Sequence, residues 1–294
     1  MKHAWIRAHR DIYPVKVMCQ VLDVSTSGYY EAFGRAPSPR AVRHLRILDS
    51  VRRVHAESRE IYGSRKIAET LDERLGLEVA CRTTVQRAAQ ELGIKSKVRK
   101  RFRPTTTVVD PSKKPALNVL DRDFTASAPN RKWVADITYL RTERGWVYAA
   151  VVLDLFSRKV VGWSIGDSLA TDLVASALRQ AIESRRPVGS RLLHHSDRGC
   201  QYTSEAYRGL LDSMGIECSM SRPGSCHDNA VAERFFWSLK YEWTNHITLT
   251  TLEEAQRSVF EYIVTFYNSK RIHQSLGYRT PDQFEAEHTP AVAV

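Results

Sequence analysis

The sequence lacks the segments by which a protein enters or crosses a membrane. Its 294 residues contain no apolar run long enough for a membrane-spanning helix, which needs about 20 residues. The N-terminal stretch M-K-H-A-W-I-R-A-H-R has no apolar core of the kind found in signal peptides. These absences argue against a membrane or secreted protein, and we expect a soluble globular protein of the cytoplasm.

Cysteine pairs and a nucleotide-binding loop are also missing. The cysteines are odd in number, widely separated and never spaced as C-x-x-C: they are Cys19, Cys81, Cys200, Cys218 and Cys226. This pattern argues against a disulfide framework and against a classical zinc site. No G-x-x-x-x-G-K-[ST] segment occurs, so the sequence does not indicate nucleotide hydrolysis.

Acidic residues are too few to balance the basic ones in the first part of the chain. Residues 1–115 contain 24 Lys or Arg against 12 Asp or Glu, whereas residues 116–294 contain 20 against 21. The net charge of +11 therefore originates in the N-terminal part. A localised basic region indicates nucleic-acid binding, although a basic surface that serves only solubility would give the same count.

The N-terminal part is predicted to be helical. Residues 14–33 read as two short helices, which are either a helix-turn-helix or a pair that only packs together. The segment I-Y-G-S-R-K-I and the helix that begins at Arg82 form a stronger helix-turn-helix candidate. Its first helix is expected to bury Leu75 and to end at Gly76.

The second helix of that pair has the composition of a DNA-reading helix. It begins with Arg82, Thr83 and Thr84, residue types that reach base edges and phosphates. The basic run K-S-K-V-R-K-R-F-R, residues 95–103, follows it and is suited to tracking phosphates. Prolines and weak periodicity then predict a linker over residues 104–120.

The rest of the chain alternates strands and helices. Strands are predicted at residues 132–140, 146–156, 159–165, 191–195 and 217–220, and helices at 171–186, 204–214, 228–243 and 252–268. Three successive strands followed by helix–strand units indicate an α/β fold with a mixed five-stranded sheet.

The helix at residues 228–243 carries both a core stripe and a polar face. Helical spacing places Ala232, Phe235, Phe236, Leu239 and Trp243 on one apolar side. Glu233 and Lys240 share the neighbouring face, where they are either ordinary solvated charges or the lining of a cleft. Asp228 or Asn229 is a plausible N-cap.

Three carboxylates stand at positions where this fold would bring them together. Asp136 lies inside the first strand and Asp197 directly follows the fourth, while Glu233 lies on the helix that crosses beside them. Carboxylates about 5 Å apart repel by roughly 3 kcal/mol at an effective dielectric of about 20. Hard divalent cations with oxygen ligands, Mg²⁺ first and Mn²⁺ second, would relieve this repulsion. His194 and His195 would suggest zinc instead, but His195 is better explained as a packed strand residue.

The motifs around these acids resemble a known family. W-V-A-D-I-T-Y around Asp136, H-S-D-R-G-C-Q-Y around Asp197 and D-N-A-V-A-E-R-F-F-W-S-L-K around Glu233 are similar to the integrase core of DDE transposases and retroviral integrases. Y-N-S-K-R-I-H-Q-S-L-G-Y-R-T-P, residues 267–281, and the upstream I-Y-G-S-R-K-I resemble the OrfB-type product of bacterial insertion sequences. The likeness covers nearly the whole chain.

The resemblance implies an RNase H-like integrase core preceded by an all-α helix-turn-helix region. It implies that Asp136, Asp197 and Glu233 bind two Mg²⁺ ions, which Mn²⁺ can replace. The implied reaction is cleavage of double-stranded DNA at transposon ends and transfer of the 3′-hydroxyl to a new phosphodiester, in the bacterial cytoplasm and on the nucleoid. The expected DNA contacts are Arg82, Thr83, Thr84, Lys95, Lys97, Arg99, Lys100, Arg101, Arg103, Asn229 and Lys240.

The resemblance also sets the expected domains and partners. The expected bounds are 1–58 for an N-terminal helical region, 59–103 for the helix-turn-helix domain, 104–120 for the linker, 121–245 for the catalytic core and 246–294 for the C-terminal helix and tail. Synapsis of two DNA ends implies a homo-oligomer. Residues 1–60 show no sustained heptad pattern, so an upstream-frame partner or a longer fusion is also expected.

Three alternatives stay open at this point. The chain would be a DNA-binding regulator if its integrase-like core were inactive. It would be a nuclease of RNase H type if it acted on RNA–DNA hybrids, although its basic helical N-terminus argues against this. Asn268, Arg271 and His273 either tie the C-terminal segment to the core or contact DNA.

Overall fold

The chain forms two compact units in a computed structural model. The structure describes residues 1–34, 37–97, 115–187, 191–223 and 225–288. Unit 1 comprises Met1–Arg53 and Thr70–Ile94, and unit 2 comprises the described residues of Val54–Glu69 and Lys95–Val294. In these described ranges, no helix is both long enough and apolar enough to cross a membrane.

The α-helices of the described ranges have between 7 and 19 residues, and the longest is Pro39–Glu57. They are α1 (Lys2–Ala8), α2 (Val15–Val21), α3 (Thr26–Gly34), α4 (Pro39–Glu57), α5 (Ser64–Thr70), α6 (Arg82–Glu91), α7 (Thr171–Arg185), α8 (Glu205–Ser213), α9 (Ala230–Glu242), α10 (Leu252–Phe260) and α11 (Pro281–His288). A π-helical segment, Glu261–Tyr267, directly continues α10.

Unit 1 is built from helices that bury few side chains each. Ile6 of α1, Met18 and Cys19 of α2 and Tyr29 of α3 form one small core. Salt bridges at the surface add to the contact between α4 and α6, where His44 Nε2 lies 3.0 Å from Glu91 Oε2.

The predicted helix after Ile61 differs in part from the observed one. The chain is helical only to Thr70, after which a 3-10 turn, Glu73–Leu75, precedes Gly76. Gly76 has φ +69 and ends that turn as expected, but Leu75 is 59% exposed and does not belong to the core. The predicted start at Arg82 is confirmed by α6.

Unit 2 contains the predicted mixed sheet. Its strands are β1 (Lys132–Thr142), β2 (Gly145–Asp154), β3 (Val160–Gly166), β4 (Leu193–Ser196) and β5 (Glu217–Met220). Within the described ranges they form one five-stranded sheet in the order β3-β2-β1-β4-β5. β1, β2 and β3 are antiparallel neighbours, and β4 runs parallel to both β1 and β5. The parallel pairs follow from the helical crossovers α7 and α8, which return the chain to the same edge.

One face of this sheet packs on α7 and α8. Trp133, Ala135, Ala150 and Val152 on the strands join Leu178 and Leu211 on the helices in a single buried cluster. Close contact with α7 requires Gly162, because a Cβ there would lie 2.2 Å from the carbonyl oxygen of Ala177. The opposite face is formed by the alternate residues of β1 and β2, and α9 and α10 contact the sheet outside that cluster.

Candidate active site

The pairing of β1 with β4 places two of the predicted carboxylates side by side. The parallel ladder pairs Lys132 with Leu193 and Val134 with His195. Continuing that register by two residues sets Asp136 opposite Asp197, one position beyond the end of β4. Adjacent strands lie about 4.8 Å apart, so the two residues are neighbours at the carboxyl end of β4, beside the middle of β1.

Short local hydrogen bonds orient both carboxylates. The backbone N–H of Ile137 donates to Asp136 Oδ1 at 2.9 Å. The N–H of Gly199 donates to Asp197 Oδ1 at 2.9 Å, closing a turn directly after β4. A side chain at Gly199 would crowd that oxygen, since a Cβ there would lie 3.1 Å from it. Both carboxylates remain only partly buried.

The charges around Asp136 show how closely the predicted site is assembled. Burial and the negative charge of Asp197 raise the pKa of Asp136 well above its ordinary value. The charge of Glu233 adds to this rise, while the Lys240 ammonium acts in the opposite direction and lowers the pKa of Asp136. Asp136 therefore interacts electrostatically with Asp197, Glu233 and Lys240.

Glu233 approaches this pair from α9 without joining it in a compact cluster. Its side chain is exposed, and partial burial raises its pKa, with His227 acting against that rise. In the part of the chain that the structure describes, no three His, Cys, Asp or Glu side chains are close enough together to hold a metal ion. The structure thus brings Asp136 and Asp197 together. Glu233 lies farther away, where its charge still acts on Asp136 but its side chain does not complete a metal site among the described residues.

Asn229 ties the start of α9 to the strand that carries Asp136. Its side-chain Nδ2 donates to the backbone oxygen of Ala135 at 2.9 Å, and the residue is buried. Its Oδ1 is also buried and has no hydrogen-bond partner among the described residues. A buried oxygen without a donor is costly, which makes Asn229 the one residue of this helix start whose buried side-chain polar groups are not all satisfied within the described residues.

Asn229 is confirmed as the N-cap residue of this helix, but the predicted capping hydrogen bond is not observed. Asn229 occupies the cap position without a side-chain cap bond, and the 3-10 turn Cys226–Asn229 precedes α9. Asp228 is fully buried and instead accepts hydrogen bonds from Asn118, Arg122 and Arg222. These partners, Arg222 above all, hold the pKa of Asp228 well below its ordinary range. Helical periodicity cannot reveal such an ionic cluster, because its members lie far apart along the chain.

Lys240 lies on α9 two turns beyond Glu233 and faces the same site. Partial burial lowers the pKa of its ammonium group, and the negative charge of Asp136 partly reverses that effect. The apolar stripe predicted for this helix is confirmed, because Ala232, Phe235, Phe236, Leu239 and Trp243 are all buried. The stripe fixes the rotation of α9 and therefore the direction of the Glu233–Lys240 face.

The two histidines before Asp197 serve the core. The two ring nitrogens of His195 are hydrogen-bonded to the hydroxyls of Ser219, at 2.8 Å, and Ser221, at 3.1 Å. The Nε2 of His194 is hydrogen-bonded to the hydroxyl of Tyr207 at 3.0 Å. Burial lowers the pKa of His195 to about 4 and that of His194 to about 3. Both rings are neutral at pH 7, and the reading of His195 as a packed strand residue is confirmed by its complete burial.

The C-terminal signature forms a buried polar cluster in unit 2. Arg271 is paired with both oxygens of Glu242 at 2.7 and 2.6 Å, and it also donates to Ser238 of α9. Asn268 bonds the backbone N–H and oxygen of Val160, each at 3.0 Å. These contacts favour the first of the two sequence interpretations, in which the signature ties the C-terminal segment to the core.

The same cluster includes the upstream motif I-Y-G-S-R-K-I. The hydroxyl of Tyr62 donates to the backbone oxygen of Lys270 and accepts from the N–H of Ile272, each at 2.9 Å. The Lys66 ammonium lies 4.9 Å from the centroid of the Tyr62 ring. Sequence reasoning placed this motif with the helix-turn-helix and missed its contacts with the C-terminal signature, since no local pattern links segments about 200 residues apart.

The predicted DNA contacts remain predictions. Arg82 and Thr83 are exposed at the start of α6 and Thr84 is half-buried, while Lys95 and Lys97 are exposed. Lys97 is already paired with Glu60 at 2.8 Å. Arg99, Lys100, Arg101 and Arg103 lie outside the described residues.

Comparison with known proteins identifies the domains. Integrase core domain models match residues 126–226 and 214–281, and an HTH-like domain model matches residues 43–102. The insertion element IS600 uncharacterized 31 kDa protein of Shigella sonnei is 38% identical over 271 residues, which cover 92% of this chain and 98% of that protein. Transposase InsF for insertion sequence IS3A of Escherichia coli (strain K12) is 36% identical over 287 residues, covering 97% and 98%.

Among solved structures, the HTLV-2 integrase catalytic core domain in complex with magnesium aligns with a TM-score of 0.43 and 19% identity, over 54% of this chain and 99% of that chain. The family itself is shown by the relatives that match along nearly their whole length. This chain belongs to the OrfB-type transposases of bacterial insertion sequences, with an RNase H-like integrase core domain and an HTH-like domain.

Proposed function

We propose that this transposase cleaves DNA strands at the ends of its insertion sequence and joins the freed 3′-hydroxyl to a new phosphodiester. The observation that carries the proposal is the register of β1 and β4, which sets Asp136 of β1 level with Asp197, one position beyond the end of β4. Two neighbouring carboxylates, whose negative charges repel each other, are typical of sites that bind cations or transfer protons. The family membership of the chain assigns the reaction class.

The donor set of this site fits a hard divalent cation. Asp136, Asp197 and Glu233 supply only oxygen atoms, and Asn229, whose Nδ2 is bonded to the backbone of Ala135 next to Asp136, has a buried Oδ1 without a partner among the described residues. Oxygen ligands select Mg²⁺ or Mn²⁺ over zinc. Two such ions, when bound, would activate the attacking oxygen and stabilise the leaving oxygen of an in-line displacement.

The chain's own residues have separate roles in this proposal. Asp136 and Asp197 form the rigid part of the metal site, because both are fixed by backbone N–H donors at 2.9 Å. The raised pKa of Asp136 favours a proton on this carboxylate, and a cation held there would favour the ionised form instead. Glu233 supplies the third carboxylate by a small movement of its exposed side chain toward the aspartates. Lys240 holds a DNA phosphate on the same helical face.

The partners follow from the reaction. The exposed start of α6 suits a duplex that carries the terminal sequences. Synapsis of two ends requires more than one copy of the catalytic unit, so we expect a homo-oligomer on DNA, with or without an upstream-frame partner or fusion. The same reaction places the chain in the bacterial cytoplasm and on the nucleoid.

The decisive experiment separates catalysis from DNA binding. The full chain is incubated with Mg²⁺ and a labelled duplex that carries the ends of its insertion sequence, and nicked and joined products are resolved on a gel. Glu233→Gln should bind the duplex as the wild type does and form no products. Glu183→Gln is the matched control, because Glu183 is exposed on α7, and it should keep full activity.

Retained strand transfer in Glu233→Gln would overturn the proposed role of this residue. The alternative function, a DNA-binding regulator with an inactive core, predicts that the wild-type chain itself produces no nicks at any Mg²⁺ or Mn²⁺ concentration. The transposase relatives, and integrase core domain matches whose ranges include all three acids, favour the enzyme over the regulator.

A further inference from the structure

The β1–β2 hairpin extends beyond the carboxylates and carries a row of aromatic rings on one face. Tyr139 pairs directly with Tyr148 across the hairpin, and their ring centroids are 5.1 Å apart. Trp146 lies next along β2, with its ring 6.4 Å from that of Tyr139. Packing explains Tyr148, which contacts the core between the sheet and α7, but it does not explain Trp146, which is 54% exposed.

Basic residues flank these rings. Arg141 is exposed and lies directly opposite Trp146 in the antiparallel register. Arg144 is exposed in the two-residue turn between the strands. Exposed aromatic rings interleaved with arginines are the elements from which proteins build surfaces that stack unpaired bases and hold their phosphates.

The row begins close to the proposed catalytic site. Tyr139 follows Asp136 by three residues in the same strand, a rise of about 10 Å at 3.3 Å per residue. This odd spacing puts its ring on the other face of β1 from the Asp136 carboxylate. Asp197 is near the ring, because its negative charge adds to the rise in the pKa of Tyr139 that burial and Tyr148 cause. β4 ends at Ser196 whereas β1 continues to Thr142, so a DNA strand held at Asp197 would reach the aromatic row past the end of β4 within two or three nucleotides.

We propose that Tyr139, Trp146 and Arg141 form a stacking platform for unpaired nucleotides of the DNA next to the cleaved phosphodiester. This inference rests on the proposed function, since cleavage at a transposon end leaves a free strand end whose bases can unpair near the cut. The ring faces contribute stacking that is independent of sequence, and the guanidinium groups neutralise the phosphates. The occupant is single-stranded DNA, because the aromatic row would have no free base to stack on in an intact duplex.

Binding measurements on the full chain test the platform without relying on catalysis. Two fluorescein-labelled duplexes of the same sequence are compared by anisotropy in EDTA, one blunt and one with a five-nucleotide single-stranded extension that contains 2-aminopurine. Trp146→Ala should bind the extended duplex about fivefold to a hundredfold more weakly, the range that stacking of one base contributes. Its affinity for the blunt duplex should not change, and the quenching of 2-aminopurine seen with the wild type should be lost.

Phe260→Ala is the matched control, because Phe260 is a half-exposed aromatic residue on α10 at 50% exposure. It should bind both duplexes as the wild type does. Equal affinity of Trp146→Ala and the wild type for the extended duplex, or an equal loss on both duplexes, would overturn the platform. A shift of Trp146→Ala toward smaller oligomers in sedimentation, with unchanged DNA affinity, would assign the surface to protein contact and overturn it as well.

The outcomes are distinguishable from those of the proposed function. A wild type that cleaves transposon ends but binds both duplexes equally would remove the platform and leave the transposase intact. A wild type that prefers the extended duplex, together with a Glu233→Gln variant that still transfers strands, would keep the platform and remove the proposed catalytic role of Glu233.

Discussion

Replacing Asp136 by Asn should stabilise the protein in the absence of metal and should also abolish its stabilisation by Mg²⁺. The Asp136 and Asp197 carboxylates lie on adjacent strands in the same register, which sets them about 5 Å apart. Their repulsion is roughly 3 kcal/mol at an effective dielectric of about 20. Because both side chains are partly exposed to solvent, we expect Asp136→Asn to raise the free energy of unfolding by about 1–3 kcal/mol at pH 8.

The gain should depend on pH in a definite direction. The folded-state pKa of Asp136 is raised, so the folded protein retains this proton to a higher pH than the unfolded chain does. The wild type therefore loses stability as the pH rises from the unfolded pKa of about 3.9 through the folded pKa. Asn does not titrate, so its advantage should be small near pH 4 and complete at pH 8. The asparagine Oδ1 can still accept the hydrogen bond from Ile137.

The assay is thermal unfolding in EDTA at both pH values, followed by titration with MgCl₂. A gain of 1–3 kcal/mol corresponds to about 2–10 °C for a unit of this size. The wild type should gain about 2.7 kcal/mol when Mg²⁺ reaches a hundred times its dissociation constant, and Asp136→Asn should gain far less. Asp167→Asn, an exposed aspartate after β3, is the control. A destabilised Asp136→Asn variant, or a gain that is equal at pH 4 and pH 8, would refute the reasoning.

Three further predictions concern the parts of unit 2 that support the site. Glu242→Ala leaves Arg271 buried without its carboxylate partner, so it should lower the free energy of unfolding, measured in urea, by about 3–5 kcal/mol. The control, Glu261→Ala, breaks an exposed pair with Arg59 and should lower it by less than about 1 kcal/mol. Equal losses would contradict a structural role for the buried pair. Gly162→Ala places a Cβ 2.2 Å from the backbone oxygen of Ala177 and should lower stability by about 1–3 kcal/mol, while Gly209→Ala in α8, where no atom lies within 4 Å of the added Cβ, should raise it by about 0.5–1 kcal/mol. Lys240→Gln should reduce the slope of log affinity for duplex DNA against log salt by about 0.9, and Lys159→Gln, whose ammonium is already paired with Asp282 at 2.8 Å, should leave that slope unchanged.

The sequence was sufficient to predict the sheet and the helix that carries Glu233. β2 and α9 have unambiguous patterns, a nearly continuous apolar run and a stripe at helical spacing, and the predicted ranges agree with the observed bounds to within about three residues. The prediction was less accurate where burial depends on distant segments. Leu75 has the spacing of a core residue but is exposed, because the chain leaves the helix at Thr70.

The candidate site divides in the same way. Asp136 and Asp197 could be placed together from the sequence, because a charge inside the first strand needs a partner and Asp197 directly follows the fourth strand, which was expected to lie beside the first. The distance of Glu233 from them could not be predicted, since it depends on how the turn Cys226–Asn229 sets the start of α9 against β1.

The amino-acid order by itself determined the residue types of the site, the alternation of strands and helices, and the concentration of positive charge in the first 115 residues. Only the tertiary structure decided which partners those residues meet. Asp228 binds two arginines instead of capping a helix, and Arg271 meets Glu242 inside the core. The periodicity of a sequence indicates which face of a helix or strand is buried. The partner of a buried charge depends instead on how segments that are remote in the chain pack together.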